Sequence, residues 1–341
     1  GADLVFDASG NPMVTAMTGD PLLDVIPFYC GVNDVGLWTR SGGTWSSQSV
    51  VTSSGEANTG FAPSDFGEVV GYWPSIALDA SGNPAIVYKD VHAGSIQSDD
   101  LRRADLELAW NSGGGWQNIA VDYGEGGGDY NRIRFDGQGR PHIAYYRATE
   151  DRTMPTLGVW MTRSLDQGTT WQKVRLFPTG TSEGPDFVFD PMTGAPLVAY
   201  YNSERGFPQL AELTDDANFE SAADGWTISD MGNSRYDEGY RTTLAISPGG
   251  TVAAAYYRCT LASLTLGDCK PADDALIFAY RDRGTWVHEV VDPGDDFGLC
   301  GQYPSLAFDA NGVAHIAYQC EETTGGTITN QVKVARRATA L

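Results

Sequence analysis

The sequence predicts an all-β chain, a six-bladed β-propeller with mostly four-stranded antiparallel blades. Three observations carry this. Six segments share one pattern of apolar strand, Gly-containing turn and second apolar strand ending near tyrosine or glutamine. Their turns fall at Asp7, Asp79, Asp136, Asp190, Ser247 and Asp309, so after a long first unit the spacings are 57, 54, 57 and 62 residues. No useful length of sequence carries a helical 3.6-residue period.

The six segments are LVFDASGNPMVTAM, IALDASGNPAIVYKD, IRFDGQGRPHIAYYR, FVFDPMTGAPLVAYYN, LAISPGGTVAAAYYR and LAFDANGVAHIAYQC. Glycine takes positive φ at a tight turn without a Cβ clash, and aspartate accepts hydrogen bonds from turn amides. Each unit then supplies two further strands. VGLWTR runs through SGGTW into SSQSVV; LELAW through NSGGGW into QNIAVD; LGVWMTR through SLDQGTTW into QKVRLF; and LIFAYRD through RGTW into VHEVVD. Radial repetition of such sheets leaves few exposed edges. A single propeller domain over 1–341 is expected, with blades near 1–56, 57–122, 123–178, 179–231, 232–291 and 292–341. The last unit shows three clear strands, so the sixth blade is short or is completed by residues outside this chain. The long insertion TGDPLLDVIPFYCGVND is placed over one rim.

SLDQGTTW, residues 164–171, resembles the Asp-box repeat S-x-D-x-G-x-T-W of sialidase-like and other bacterial propellers. SGGTW and RDRGTW keep its end. In that family the box is structural and lies away from the active centre. The resemblance therefore implies a propeller blade, with Ser164 and Asp166 fastening the turn, Gly168 curving it and Trp171 packing between blades.

Composition limits the function. Forty-four acidic and 22 basic residues give a formal net charge of −22, which excludes the basic footprint of a nucleic-acid binder. No 18-residue apolar run is present, so no membrane span or signal peptide is read. The start at GADLVFDASG is that of a mature or trimmed product. Five cysteines fit a secreted or periplasmic chain, with Cys259–Cys269 and Cys300–Cys320 as candidate bridges and Cys30 left over. Histidines at only 92, 142, 288 and 315 argue against a zinc enzyme. No cofactor is expected; DYGEGGGD at 122–129 and DPGDD at 292–296 offer oxygen ligands for Ca²⁺.

Antiparallel hairpins put the Asp/Gly turns at one rim and the outer strand ends at the other. That second rim collects Tyr72, Trp73, Lys89, Asp237 and Tyr303, together with the candidate substrate-binding residues Arg132, Arg147, Arg241, Arg258, Tyr130, Tyr201 and Tyr257. Guanidinium groups offer paired donors to carboxylate, sulfate or phosphate, and tyrosines offer flat contact area to a sugar face. The leading expectation is a secreted propeller binding a carbohydrate or anionic surface component.

The alternative is an enzyme cleaving an acidic glycan. The sialidase-like resemblance implies an arginine clamp on the sugar carboxylate, Tyr240 as nucleophile, Glu238 as its helper and Asp129 handling the proton. The family's early R-I-P motif is absent; NRIRF at 131–135 is a faint echo. A propeller polysaccharide lyase would instead pair His142 and Tyr146 beside an arginine. A structural or protein-binding propeller, its rim charges consumed in internal pairs, is the third reading.

Overall fold

A computed structural model of the chain describes residues 1–19, 33–52, 65–93, 104–122, 127–147, 157–178, 184–232, 236–259, 274–293, 300–324 and 327–341. The fold is an all-β, six-bladed β-propeller with mostly four-stranded antiparallel blades. The chain divides into two compact units, Gly1–Pro178 and Thr179–Leu341.

The first unit holds three blades. Strands β1 (Ala2–Phe6), β2 (Pro12–Gly19), β3 (Asn33–Ser41) and β4 (Thr44–Val51) form the first; β5 (Asp65–Leu78), β6 (Pro84–Ala93), β7 (Ala104–Asn111) and β8 (Trp116–Asp122) form the second. A single parallel pairing, Asn33 with Val69, joins these two blades into one eight-stranded sheet. The third blade comprises β9 (Asp129–Phe135), β10 (Pro141–Arg147), β11 (Gly158–Arg163) and β12 (Gln172–Phe177).

The second unit repeats the plan. Its blades are β13 (Asp186–Phe189), β14 (Pro196–Asn202), β15 (Phe207–Leu213) and β16 (Trp226–Asp230); then β17 (Asp237–Ile246), β18 (Val252–Cys259), β19 (Ala275–Asp282) and β20 (Thr285–Asp292); then the three-stranded β21 (Cys300–Phe308), β22 (Ala314–Thr324) and β23 (Thr327–Arg336). One departure from pure β is a helical turn, α1 (Ala222–Gly225), capped by Ser221, whose hydroxyl accepts from the Asp224 N–H.

The core lies between facing sheets. In the first unit Leu106, Leu108, Val121, Ile133, Ile143 and Tyr145 meet between the second and third blades. In the second unit Leu197, Leu210, Leu244, Ala254 and Ile277 meet between its first two blades. Each fully buried Leu, Ile or Phe contributes about 1.5–3 kcal/mol. The alternating strands supply both blade faces, and β10 and β14 are buried throughout.

Polar clasps fix neighbouring blades. Asp3 accepts from the Ser75 hydroxyl (2.7 Å) and the Ile76 N–H (3.1 Å). Asp186 does the same for Thr243 (3.1 Å) and the Leu244 N–H (2.9 Å). The hairpin aspartates work as their composition implies: Asp79 accepts from the N–H groups of Ser81 (2.8 Å) and Asn83 (2.9 Å). At 164–171, Ser164 Oγ accepts from the Gly168 N–H (2.7 Å) and donates to Asp166 (2.9 Å), while Asp166 accepts from the Thr170 hydroxyl (2.7 Å). Trp171 packs on the core between the second and third blades.

Cys300 and Cys320 are joined in a disulfide across β21 and β22. Cys259 is also disulfide-bonded; Cys269 and Cys30 lie outside the described residues. Among the described residues, no helix is long and apolar enough to cross a membrane.

Candidate functional site

Four first strands carry the same backbone irregularity. Gly71-Tyr72-Trp73, Gly128-Asp129-Tyr130, Gly239-Tyr240-Arg241 and Gly301-Gln302-Tyr303 each begin on a positive-φ glycine and end on a positive-φ residue that is not glycine. The terminal residues Trp73, Tyr130, Arg241 and Tyr303 have φ of 47°, 52°, 54° and 51°. Strand pairing skips register at each of these places. These are β-bulges, which bend a strand and re-aim its side chains. The glycine is required at Gly239, where a Cβ would lie 2.7 Å from Pro208. Holding a large residue in the left-handed region costs about 1–3 kcal/mol, and such outliers cluster at functional sites.

In the second unit the bulge brings three phenols to two carboxylates. Tyr240 donates to Asp237 (2.9 Å), Tyr201 donates to the other oxygen of Asp237, and the Tyr201 and Tyr240 rings stack with centroids 4.3 Å apart. Tyr257, opposite Tyr240 in the pairing, donates to Asp274. Burial first, then the adjoining carboxylates, raises the Tyr201 and Tyr257 phenols well above their ordinary value. Both therefore stay protonated donors at neutral pH. The Arg241 guanidinium lies 3.7 Å from the Tyr303 ring centroid, and that of Arg258 lies 4.3 Å from Tyr236.

The carboxylate beside Tyr240 is thus Asp237 and not the expected Glu238. The bulge between Glu238 and Tyr240 shifts the pairing by one, so Asp237 and Tyr240 share a face. Glu238 is buried, 3% exposed, and its charge bears on the Tyr256 phenol.

In the first unit the same bulges hold a different set. The Trp73 ring lies 5.0 Å from Tyr130 and 5.5 Å from Tyr72, with Lys89 Nζ 5.4 Å from it. Lys89 forms a buried ion pair with Asp129, the expected proton carrier. Burial raises the Asp129 carboxyl despite the pull of Lys89. Arg147 is buried and pairs with Asp122 (2.8 Å), with its guanidinium 4.8 Å from the Trp160 ring. Asp122 also receives Lys173 and the Tyr145 hydroxyl. Arg147, expected as a ligand contact, is thus held within the protein by a carboxylate and an aromatic ring. Arg132 is half-buried and donates to the Asn131 carbonyl (3.1 Å); among the described residues no carboxylate pairs with it.

His142 and Tyr146 do not meet. They sit four residues apart on β10, about 13 Å along an extended strand. His142 is at the hairpin end, its Nδ1 3.1 Å from the Arg140 carbonyl, and burial lowers its pKa to about 4. Tyr146 is opposite Asp129, its phenol pushed up to about 12 by burial and that carboxylate. The repeated histidine position is a sheet feature at the hairpin rim, and the expected partners His142 and Tyr146 lie at opposite ends of β10.

For metals, Asp292, Cys300 and Cys320 bring ligand-type atoms within 4.8 Å of one another. The set matches a thiophilic ion rather than Ca²⁺, and only as thiolates; in the disulfide the sulfurs carry no charge. Asp292 is engaged by the Tyr318 hydroxyl (2.6 Å). Residues 123–126 and 294–296 of the two acidic stretches lie outside the described residues.

Trp73 and Tyr303 escaped the sequence-based choice of ligand contacts, although a signal exists. GYWPSIALD and GQYPSLAFD repeat G-x-[WY]-P-S at the two bulges.

No protein-family model and no curated protein matches the chain by sequence. Structural comparison does find relatives. A point mutant of the NanB sialidase from Streptococcus pneumoniae superposes with TM-score 0.57 at 11% identity, over 93% of this chain and 64% of that one. The α-L-arabinanase from Penicillium chrysogenum, complexed with arabinobiose, gives 0.57 at 14% identity, over 98% and 92%. An ulvan lyase of a new polysaccharide lyase family gives 0.53 at 11% identity, over 97% and 82%. The chain thus spans just under two thirds of the length of the NanB sialidase. At these identities the likeness establishes architecture alone: the chain has the six-bladed propeller fold that these solved structures also have.

Proposed function

We propose that the protein cleaves an acidic glycan, with Tyr240 as the reacting phenol, Asp237 as the carboxylate that takes its proton, and Arg241 as the contact to the substrate's acid group. The observation that carries this is the Tyr240–Asp237 hydrogen bond of 2.9 Å next to an arginine aimed by its bulge. A phenol is a weak nucleophile until a base at hydrogen-bond distance removes its proton. Tyr201, held protonated on the same carboxylate, orients Asp237. Structural relatives named as sialidases, an arabinanase and a lyase support a glycan as the substrate class. The Cys300–Cys320 disulfide supports a secreted or periplasmic setting.

The second reading is a propeller that binds a glycan without cleaving it. Its support is that both oxygens of Asp237 already accept from buried or half-buried phenols, an arrangement that equally makes a fixed hydrogen-bonding wall. The test is to incubate the protein with acidic and neutral oligosaccharides, reading retained ligand and product mass together. A new reducing end marks hydrolysis, an unsaturated product marks elimination, and retention without product marks binding. Under hydrolysis, Tyr240→Phe loses about a hundredfold or more in rate; an unchanged rate removes Tyr240 from the chemistry. Neither retention nor product defeats both readings.

A further inference from the structure

Six residues before each hairpin turn stand Gly1, Trp73, Tyr130, Gly184, Arg241 and Tyr303. In the second unit all three such positions are left-handed, with φ of 76°, 54° and 51° at Gly184, Arg241 and Tyr303. Glycine adopts that backbone without strain, so the turn of chain itself asks for no side chain, as Gly184 demonstrates. Tyr303 keeps a large ring there, and the following Pro304 narrows its backbone further. A ring retained against that strain is explained by what it touches. Among the described residues of the second unit, the Tyr303 side chain makes no hydrogen bond, and its one ring contact is the Arg241 guanidinium, 3.7 Å from the ring centroid. Gly184 lies against Arg241 from the neighbouring blade, where a Cβ would come within 3.3 Å of the Arg241 Cα. The three positions form a run across the three blades of this unit: bare backbone, arginine, ring.

A guanidinium 3.7 Å from a ring centroid lies face-on to the ring. Stacking fixes its plane and uses none of its N–H donors, which leave from its edges. Arg147 is the contrast: a carboxylate fixes its plane and occupies donors in doing so. The two oxygens of a carboxylate accept best from two donors in one plane. We infer that Tyr303 is a positioning residue: its ring holds the Arg241 guanidinium in the plane that meets the carboxylate of an acidic sugar. The inference rests on the reading of Arg241 as the acid-group contact, and adds the residue that sets its selectivity. Because the contact is with the ring face, the Tyr303 hydroxyl has no part in it.

The experiment uses the full chain with Tyr303→Gly, Tyr303→Phe, Arg241→Gln and the double variant of Arg241→Gln with Tyr303→Gly. Dissociation constants are measured for oligogalacturonate, sialyllactose and neutral xylo-oligosaccharides, with melting temperature as the check on folding. Tyr303→Gly removes the ring and relieves the left-handed backbone, so folding is kept. Expected is a loss of about tenfold in acidic-sugar affinity in Tyr303→Gly, with neutral-sugar affinity unchanged. Tyr303→Phe keeps the ring face and should stay within about threefold of wild type. The double variant should bind no more weakly than Arg241→Gln alone, because the ring acts through the guanidinium. Undiminished acidic-sugar affinity in Tyr303→Gly, an equal loss in Tyr303→Phe, or additive losses in the double variant overturns the positioning role and leaves the reading of Arg241 intact. If Arg241→Gln binds the acidic sugars as wild type does, or the wild-type chain binds none of the panel, the reading of Arg241 falls, and this inference with it.

Discussion

The bulges of the first unit and those of the second share one backbone but solve the charge problem differently. Around Trp73 and Tyr130, buried carboxylates are matched by cations, Asp129 by Lys89 and Asp122 by Arg147 and Lys173, with the Tyr145 hydroxyl also on Asp122. Around Tyr240 and Arg241, buried carboxylates are matched by phenols: Asp237 by Tyr201 and Tyr240, Asp274 by Tyr257. An ion pair consumes charge and sets a rigid wall. A phenol–carboxylate pair keeps the negative charge and an exchangeable proton in place. The comparison favours the bulge at Tyr240 as the seat of the proposed chemistry, because its carboxylate is held by phenols and not by a cation.

The largest expected effect breaks the ionic side of that comparison. Asp122→Ala leaves Arg147 buried without its carboxylate and should cost about 3–5 kcal/mol, read by denaturant unfolding. A cost under about 1 kcal/mol would mean that the first unit does not depend on ion pairing.

Next comes pH. His142 is buried near Arg163 and Arg140, with a folded pKa of about 4 against an unfolded value near 6.5. The unfolded chain binds its proton first, so the stability contributed by neutral His142 is present above about pH 6.5 and is lost as pH falls toward 4. The loss should reach at most about 3 kcal/mol. His142→Gln should flatten the curve in that window; an unchanged slope would place the titration elsewhere.

On the phenolic side, Tyr257→Phe removes one donor from buried Asp274 and should cost about 1.5–3 kcal/mol. This should fall short of the Asp122→Ala effect, because no buried cation is stranded. Equal costs would erase the distinction between the units.

The smallest effect belongs to the hairpin rim. Ser164→Ala removes the acceptor for the Gly168 N–H and should cost about 1 kcal/mol by thermal melting, with glycan retention unchanged. A change in retention would connect the box at 164–171 to the ligand after all.

The architecture was legible in the sequence because each blade announces itself locally. The Asp/Gly hairpins and alternating strands need only nearest-neighbour chemistry, as the Asp79 turn illustrates. The site was legible in residue type and not in pairing. Tyr240 and Arg241 were found from their place at the strand end, but Glu238 was chosen over Asp237 because strict alternation fails at a bulge. Arg147 looked like a ligand contact because its buried partner, Asp122, lies on another strand 25 positions away. His142 and Tyr146 shared strand parity, which says nothing about distance along the strand.

The repeated bulge also bears on how such a surface can change over time. One main-chain shape accepts tryptophan at 73, tyrosine at 130 and 303, and arginine at 241. The side chain presented at each place can therefore change by substitution of one residue, without disturbing the sheets that carry it.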